Sequence, residues 1–177
     1  MKISKKSLRL AILAAGLSLL TVDAGWAMTA YVVGLGQDDL GHFAFAVDPS
    51  TIAEASAGHR IADVYDISST NLFDIVRTDF DCAAHQAQTL SDKVYQANEN
   101  GVDFVVDHGG AAAPEPIGAD TTLGSLVHTF VCGWPQVSSG ATKVEPDPPN
   151  LQTLVDTVGR VLDELDDEQD EAAPPPQ

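Results

Sequence analysis

Cys82 and Cys132 are the only two cysteines in a chain of 177 residues. Such a pair can form a bridge, a redox couple or part of a metal site. About fifty residues separate them, and no Cys-x-x-Cys spacing is present to lower a thiol pKa, so a structural disulfide is expected. His85 follows Cys82 by three residues, but a bridged sulfur is no ligand. The five histidines, at 42, 59, 85, 108 and 128, are scattered with no H-x-x-H or H-E-x-x-H spacing. Asp38, Asp39 and His42 could gather around a cation, although a solvated acidic loop accounts for them as well. Asp107-His108-Gly109-Gly110 is a small-residue loop of the kind that supplies oxyanion donors, yet no G-x-S-x-G elbow accompanies it. Gly34-Leu35-Gly36 lacks the third glycine and following helix of a dinucleotide site. Asp79 and Asp81 share one strand face, as glycosidase carboxylates can, but they flank a cysteine on a polar face. The expectation is therefore a non-enzyme, with no catalytic, cofactor-binding or metal residue assigned and Cys82 and Cys132 as its disulfide.

Residues 31–108 read mostly as short strands that would carry these side chains. Phe43, Phe45 and Val47 alternate with Ala44 and Ala46, the period-2 pattern of a half-buried strand. Asp48, Pro49 and Ser50 then make a turn. Residues 60–67 and 72–84 give two further strands, and in the latter Val76, Thr78, Phe80 and Cys82 oppose Arg77, Asp79 and Asp81. Residues 86–96 pair back, Asn98 to Gly101 form a hairpin turn, and residues 102–107 return. After Pro116 the period changes. Leu123, Leu126, Val127, Phe130 and Val131 form a helical stripe that Asp120 or Thr121 can cap, although 126–132 alone also fits a strand. Residues 135–149 have a Pro-rich linker composition. Asn150 can cap a last helix with a stripe of Leu151, Leu154, Val155, Val158, Val161, Leu162 and Leu165. Its C-terminal acids oppose the helix dipole, so fraying is expected beyond about Leu165. The fold class is α+β: an antiparallel meander, a helix packed before the second cysteine, an amphipathic C-terminal helix and one disulfide. The predicted divisions are 1–27, 28–134 (the sheet domain), 135–149 (linker), 150–168 (acidic helix) and 169–177 (disordered tail).

Lys2, Lys5, Lys6 and Arg9 precede an uncharged stretch from 10 to 22, which predicts a signal peptide cleaved after Ala27. No cysteine follows for a lipid anchor, and a periplasmic or secreted location is expected. Removing 1–27 takes away four basic residues and one acidic residue, leaving five and 25 over 150 residues, a net charge near −20. A field of that sign repels nucleic acid and anionic lipid, so binding to either is not expected. Because no other apolar run approaches ~18 residues, stable membrane insertion is not expected.

The chain resembles the surface-adhesin protein E-like family of small exported bacterial proteins. The resemblance is carried by 45–52 (FAVDPSTI), 62–67 (ADVYDI), 79–82 (DFDC), and 116–120 (PIGAD) with 126–132 (LVHTFVC). It covers roughly residues 40–133 and implies an antiparallel sheet, a packed helix and the Cys82–Cys132 bridge. Named members bind host proteins. Those adhesins are lipid-anchored, and the acidity here differs from a surface for polyanions, so no binding residue carries over. The functional expectation is an exported non-enzymatic binding module for a protein or other extracytoplasmic ligand. The alternative is a periplasmic assembly protein, a homodimer through residues 151–165; a periplasmic hydrolase comes third.

Overall fold

The computed structural model describes residues 28–39, 41–111, 113–118, 122–136 and 140–172, with the side chains of 168–172 excepted. The signal peptide, the caps at Asp120 and Thr121, and the tail from 173 lie outside the described residues. The strands are β1 (Ala30–Asp38), β2 (Gly41–Val47), β3 (Ala53–Ser56), β4 (His59–Ser68), β5 (Leu72–Asp81), β6 (Gln86–Asn98), β7 (Gly101–Asp107) and β8 (Glu115–Pro116). Helix α1 (Leu123–Gly133), strand β9 (Thr142–Val144) and helix α2 (Leu151–Ala172) follow. One nine-stranded sheet runs β7-β6-β5-β4-β2-β1-β9, with β3 on β4 and β8 on β6. All of its pairings are antiparallel.

The meander forms where turn chemistry permits it. Asp48 accepts from Ser50 N at 2.8 Å and caps a single 3-10 turn over Pro49–Thr51. Gly101 takes φ +131° at the β6–β7 hairpin, a value that side chains rarely adopt. Residues 126–132 are helical rather than extended, and the cap is Thr122, whose Oγ1 accepts from Ser125 N at 3.2 Å. The linker reading of 135–149 is corrected in part. Residues 142–144 add strand β9 to the sheet edge, pairing Ala30 with Val144.

Helices cover both faces of the sheet, which explains why the alternation in β2 buries its small residues. Ala44 and Ala46 are fully buried, with Ala30, under Leu154, Val155, Val158 and Leu162 of α2. Small side chains there let the helix approach the sheet closely. On the opposite face Val33, Val47, Ala62, Val64 and Phe80 meet Val127, Phe130 and Val131 of α1. A Cβ on Gly34 would lie 2.5 Å from Leu123 Cδ2, so α1 crosses β1 closely there and a larger residue would require the Leu123 side chain to shift. Two residues assigned to the stripes are instead largely outside: Leu126 and Val161 are 41% and 50% exposed. Arg60 reaches from β4 to the end of α1 and donates to the carbonyls of Val131 and Trp134 at 2.8 and 2.6 Å. It supplies the cation that the last turn of α1 lacks.

Asn150 caps α2 by accepting from Thr153 N at 2.9 Å. The helix does not end near Leu165; it continues to Ala172. Asp166 explains part of this continuation, because its carboxylate accepts from His42 N at 3.2 Å and bonds the His42 ring, tying the acidic end of α2 to β2. The hydrogen bonds from His42 and Ser69 hold the Asp166 carboxyl below its ordinary pKa. We expect Asp166→Ala to speed amide exchange over residues 163–172 on the order of tenfold while leaving 154–162 protected. Hydrogen-exchange mass spectrometry would read both segments, and unchanged exchange at the helix end would show the tie to be idle.

Candidate functional site

Helix α1 has 11 residues and so spans about 16 Å. Strand β4 has ten and runs about 33 Å. One helix of that length cannot cover the whole face. Beyond Ala62 and Val64 the same face of β4 continues as Asp66 and Ser68, and in β5 Val76 gives way to Asp74 and Leu72. The uncovered part is an open cleft of about 320 Å³. Phe43, Leu72 and Val94 supply apolar wall, and Asp38, Asp66 and Asp74 supply carboxylates.

Register creates an electrostatic problem in this cleft. Asp66 and Asp74 are direct cross-strand partners, and like charges so placed repel. Asp92 lies diagonally beyond them on β6, opposite Val76. One of its carboxylate oxygens is buried without a hydrogen-bond partner. Burial, reinforced by Asp74, Asp38 and Asp92, pushes the Asp66 carboxyl up to about 6. Burial also raises Asp74, where Asp92 adds to the shift and His108 opposes it. A perturbed carboxyl in an apolar-walled cleft is a candidate binding group.

A second cluster lies at the other end of the sheet, around the bridge. Cys82 and Cys132 are joined, with Cα atoms 5.5 Å apart, linking the turn after β5 to the last turn of α1. Asp81 organises that turn by accepting from Ala83 N and Ala84 N at 3.0 and 2.8 Å. His59 lies 3.2 Å from Asp79 and 3.6 Å from Asp81. The Asp79/Asp81 pair thus serves a turn and a histidine. His128 is 4% exposed and packs by Phe80, with its ring centroid 4.7 Å from that of His85. Burial, helped by His85, holds the His128 imidazole below its ordinary pKa.

Compared with family models, with curated proteins and with solved structures, the chain matches none. Its site must therefore be read from its own geometry. The Asp38, Asp39 and His42 group is not assembled as a ligand set, since His42 turns to Asp166 on α2. In the 107–110 loop, Gly109 N donates to Asp107 at 2.8 Å. A Cβ on Gly110 would come within 2.6 Å of the Leu90 carbonyl oxygen, so that glycine serves close backbone passage. Among the described residues, the one group of three metal-ligating side chains is Cys82, His128 and Cys132, with ligand atoms within 4.8 Å of one another. Sequence reasoning missed both His128 and the acidic cleft. Its signal for His128 was the spacing of His128 and Cys132, one helical turn apart. For the cleft there was no signal short of the strand register.

Proposed function

We propose that the chain is an exported, non-catalytic binding module of the surface-adhesin protein E-like type, acting in the periplasm or outside the cell. Its cleft takes a cation on an apolar stem, as presented by a lysine- or arginine-bearing segment of a partner protein. The observation that carries this reading is the opposed Asp66/Asp74 pair within apolar walls, with Asp66 pushed up to about 6. A buried cationic group would relieve that repulsion, while its stem would cover Phe43, Leu72 and Val94. The acidic surface, net −17 for the full chain, would speed the approach of a basic partner. The assembly reading is weaker, because the α2 side chains it needs, Leu154, Val155, Val158 and Leu162, are packed on the chain's own sheet.

Calorimetry with a peptide alternating lysine and leucine tests the reading. Asp66→Asn with Asp74→Asn should weaken binding by about tenfold or more, the value of one or two charge-assisted hydrogen bonds. Asp163→Asn with Glu164→Gln removes the same charge from exposed positions on α2 and should leave affinity nearly unchanged. Equal losses in both variants would mean that only the general field attracts the peptide, and the cleft reading would be wrong.

The same carboxyl sets a pH dependence. The folded value of about 6 stands above the ordinary carboxyl value of 3.8, so the native state binds the extra proton. The resulting stability is complete below the unfolded value and is lost as pH rises through about 6. Relative to Asp66→Asn, the unliganded protein should therefore gain melting temperature as pH falls from 7 toward 5, and peptide binding should weaken over the same interval. His128, with its lowered pKa, acts in the opposite direction in both proteins. Asp66→Asn should flatten this rise and be the more stable protein at pH 7. A wild-type pH profile unaltered by the substitution would remove Asp66 from the account.

A further inference from the structure

We propose that the Cys82–Cys132 bridge is one state of a two-state site, and that its reduced form binds zinc through Cys82, His85, His128 and Cys132. The spacing is that of a zinc site. Two residues separate Cys82 from His85 in a tight turn, and three separate His128 from Cys132 on one helical face. A turn and a helix face are the two elements that load many tetrahedral zinc sites. The ligand atoms of Cys82, His128 and Cys132 already lie within 4.8 Å of one another. His85 stands beside them, ring against ring with His128 at 4.7 Å between centroids. It is exposed, and its backbone sits at φ 54°, a rare value for a side-chain-bearing residue. Tetrahedral Zn–S bonds of ~2.3 Å hold two sulfurs roughly 3.8 Å apart. Side-chain rotation can reach that separation from Cα atoms 5.5 Å apart.

Contacts other than the bridge also help to place the ligands. Asp81 holds the turn through Ala83 N and Ala84 N, Cys82 N donates to Gly58 O at 2.9 Å, and Ile117 N donates to His85 O at 3.0 Å. Helix α1 is seated by Val127, Phe130 and Val131 and by Arg60. His128 is 4% exposed, yet among the described residues the one hydrogen-bond contact of its ring is a long 3.4 Å to Asp81 O. Cys82 and Cys132 are only partly buried, so a reductant can reach the bridge.

The chemistry balances with a dithiol as reductant. Its sulfurs join as a new disulfide, two electrons break the Cys82–Cys132 bond, and its two protons pass to the cysteines. Zinc then displaces both protons to solvent as two Zn–S bonds form and the neutral imidazoles coordinate. A disulfide oxidant reverses the cycle: its S–S bond takes the two electrons and two protons from solvent to become two thiols, while the Cys82–Cys132 bond re-forms and the ion is released. The module would thus hold zinc under reducing conditions and surrender it on oxidation.

The test uses the full chain, reduced anaerobically with a phosphine and titrated with Co(II) as the zinc probe. The reduced protein should bind one equivalent, with thiolate-to-cobalt charge-transfer and tetrahedral ligand-field bands that zinc abolishes. The oxidised protein should bind none. His85→Ala, at an exposed position, should weaken binding by at least about tenfold, and Cys82→Ser with Cys132→Ser should abolish the thiolate band. Absence of that band in the reduced protein, or unchanged affinity in His85→Ala, overturns the proposal. Should reduction itself unfold the chain, zinc must restore native circular dichroism; if it does not, the proposal fails.

Discussion

Truncation after Val144 should cost this protein its native packing, a larger loss than any single core substitution would cause. Leu154 and Leu162 are fully buried, and Val155 and Val158 are 1% and 5% exposed. Each such side chain contributes roughly 1.5–3 kcal/mol on burial. Losing four removes on the order of 6–12 kcal/mol before the ordering entropy of the helix is returned. A domain of this size is stable by about 5–15 kcal/mol. The truncated chain should therefore melt tens of degrees lower or hold only loose tertiary structure, read as lost near-ultraviolet circular dichroism. Its mass by light scattering should be that of a monomer, as should the full-length protein's. A dimeric full-length protein with a stable monomeric truncation would instead make α2 an assembly device.

Cys82→Ala with Cys132→Ala should rank second. The bridge closes a loop with a sequence separation of 50, which in the chain-entropy model is worth ~4 kcal/mol. The loss should appear as a lower denaturation midpoint, with the slope changing as the unfolded ensemble expands. Wild-type protein in reductant with zinc chelated should behave like the double variant. Equal stability with and without the bridge would mean that the contacts of α1 with the sheet already hold the two ends together.

Local signals are readable wherever local chemistry decides. The β6–β7 hairpin follows from Gly101, which the structure places at φ +131°. The bridge follows from cysteine arithmetic, and the cap at Asn150 from its position before an apolar stripe. Strand β9 is hidden in a proline-rich stretch because three residues carry no periodicity; they become a strand by meeting β1. The run of acids at the end of α2 argues for fraying, since His42, 124 residues away, cannot be paired with Asp166 from sequence alone. The acidic cleft is invisible for the same reason. Asp66 and Asp74 become neighbours by cross-strand register, and a slip of one residue would send one of them to the other face. His128 reads as one more member of an alternating run, although the turn-and-helix spacing of the four ligands is present in the sequence.

The position of the bridge also decides how the chain behaves under tension. β6, β7, β8 and all of α1 before its last two residues lie between Cys82 and Cys132. A pull applied outside the bridge bypasses them. Strand β1 begins opposite the end of β9, with Ala30 facing Val144 in antiparallel register. Force entering there peels hydrogen bonds one at a time instead of shearing a whole strand. The outer strands should yield early, and extension should then stop at the sulfur–sulfur bond. With a sequence separation of 50 held in reserve, at ~3.5 Å per residue, roughly 170 Å of chain stays slack until that bond is cut. Pulled from its two ends, the module would thus be a compliant link with a fixed limit, and thiol chemistry would set its length.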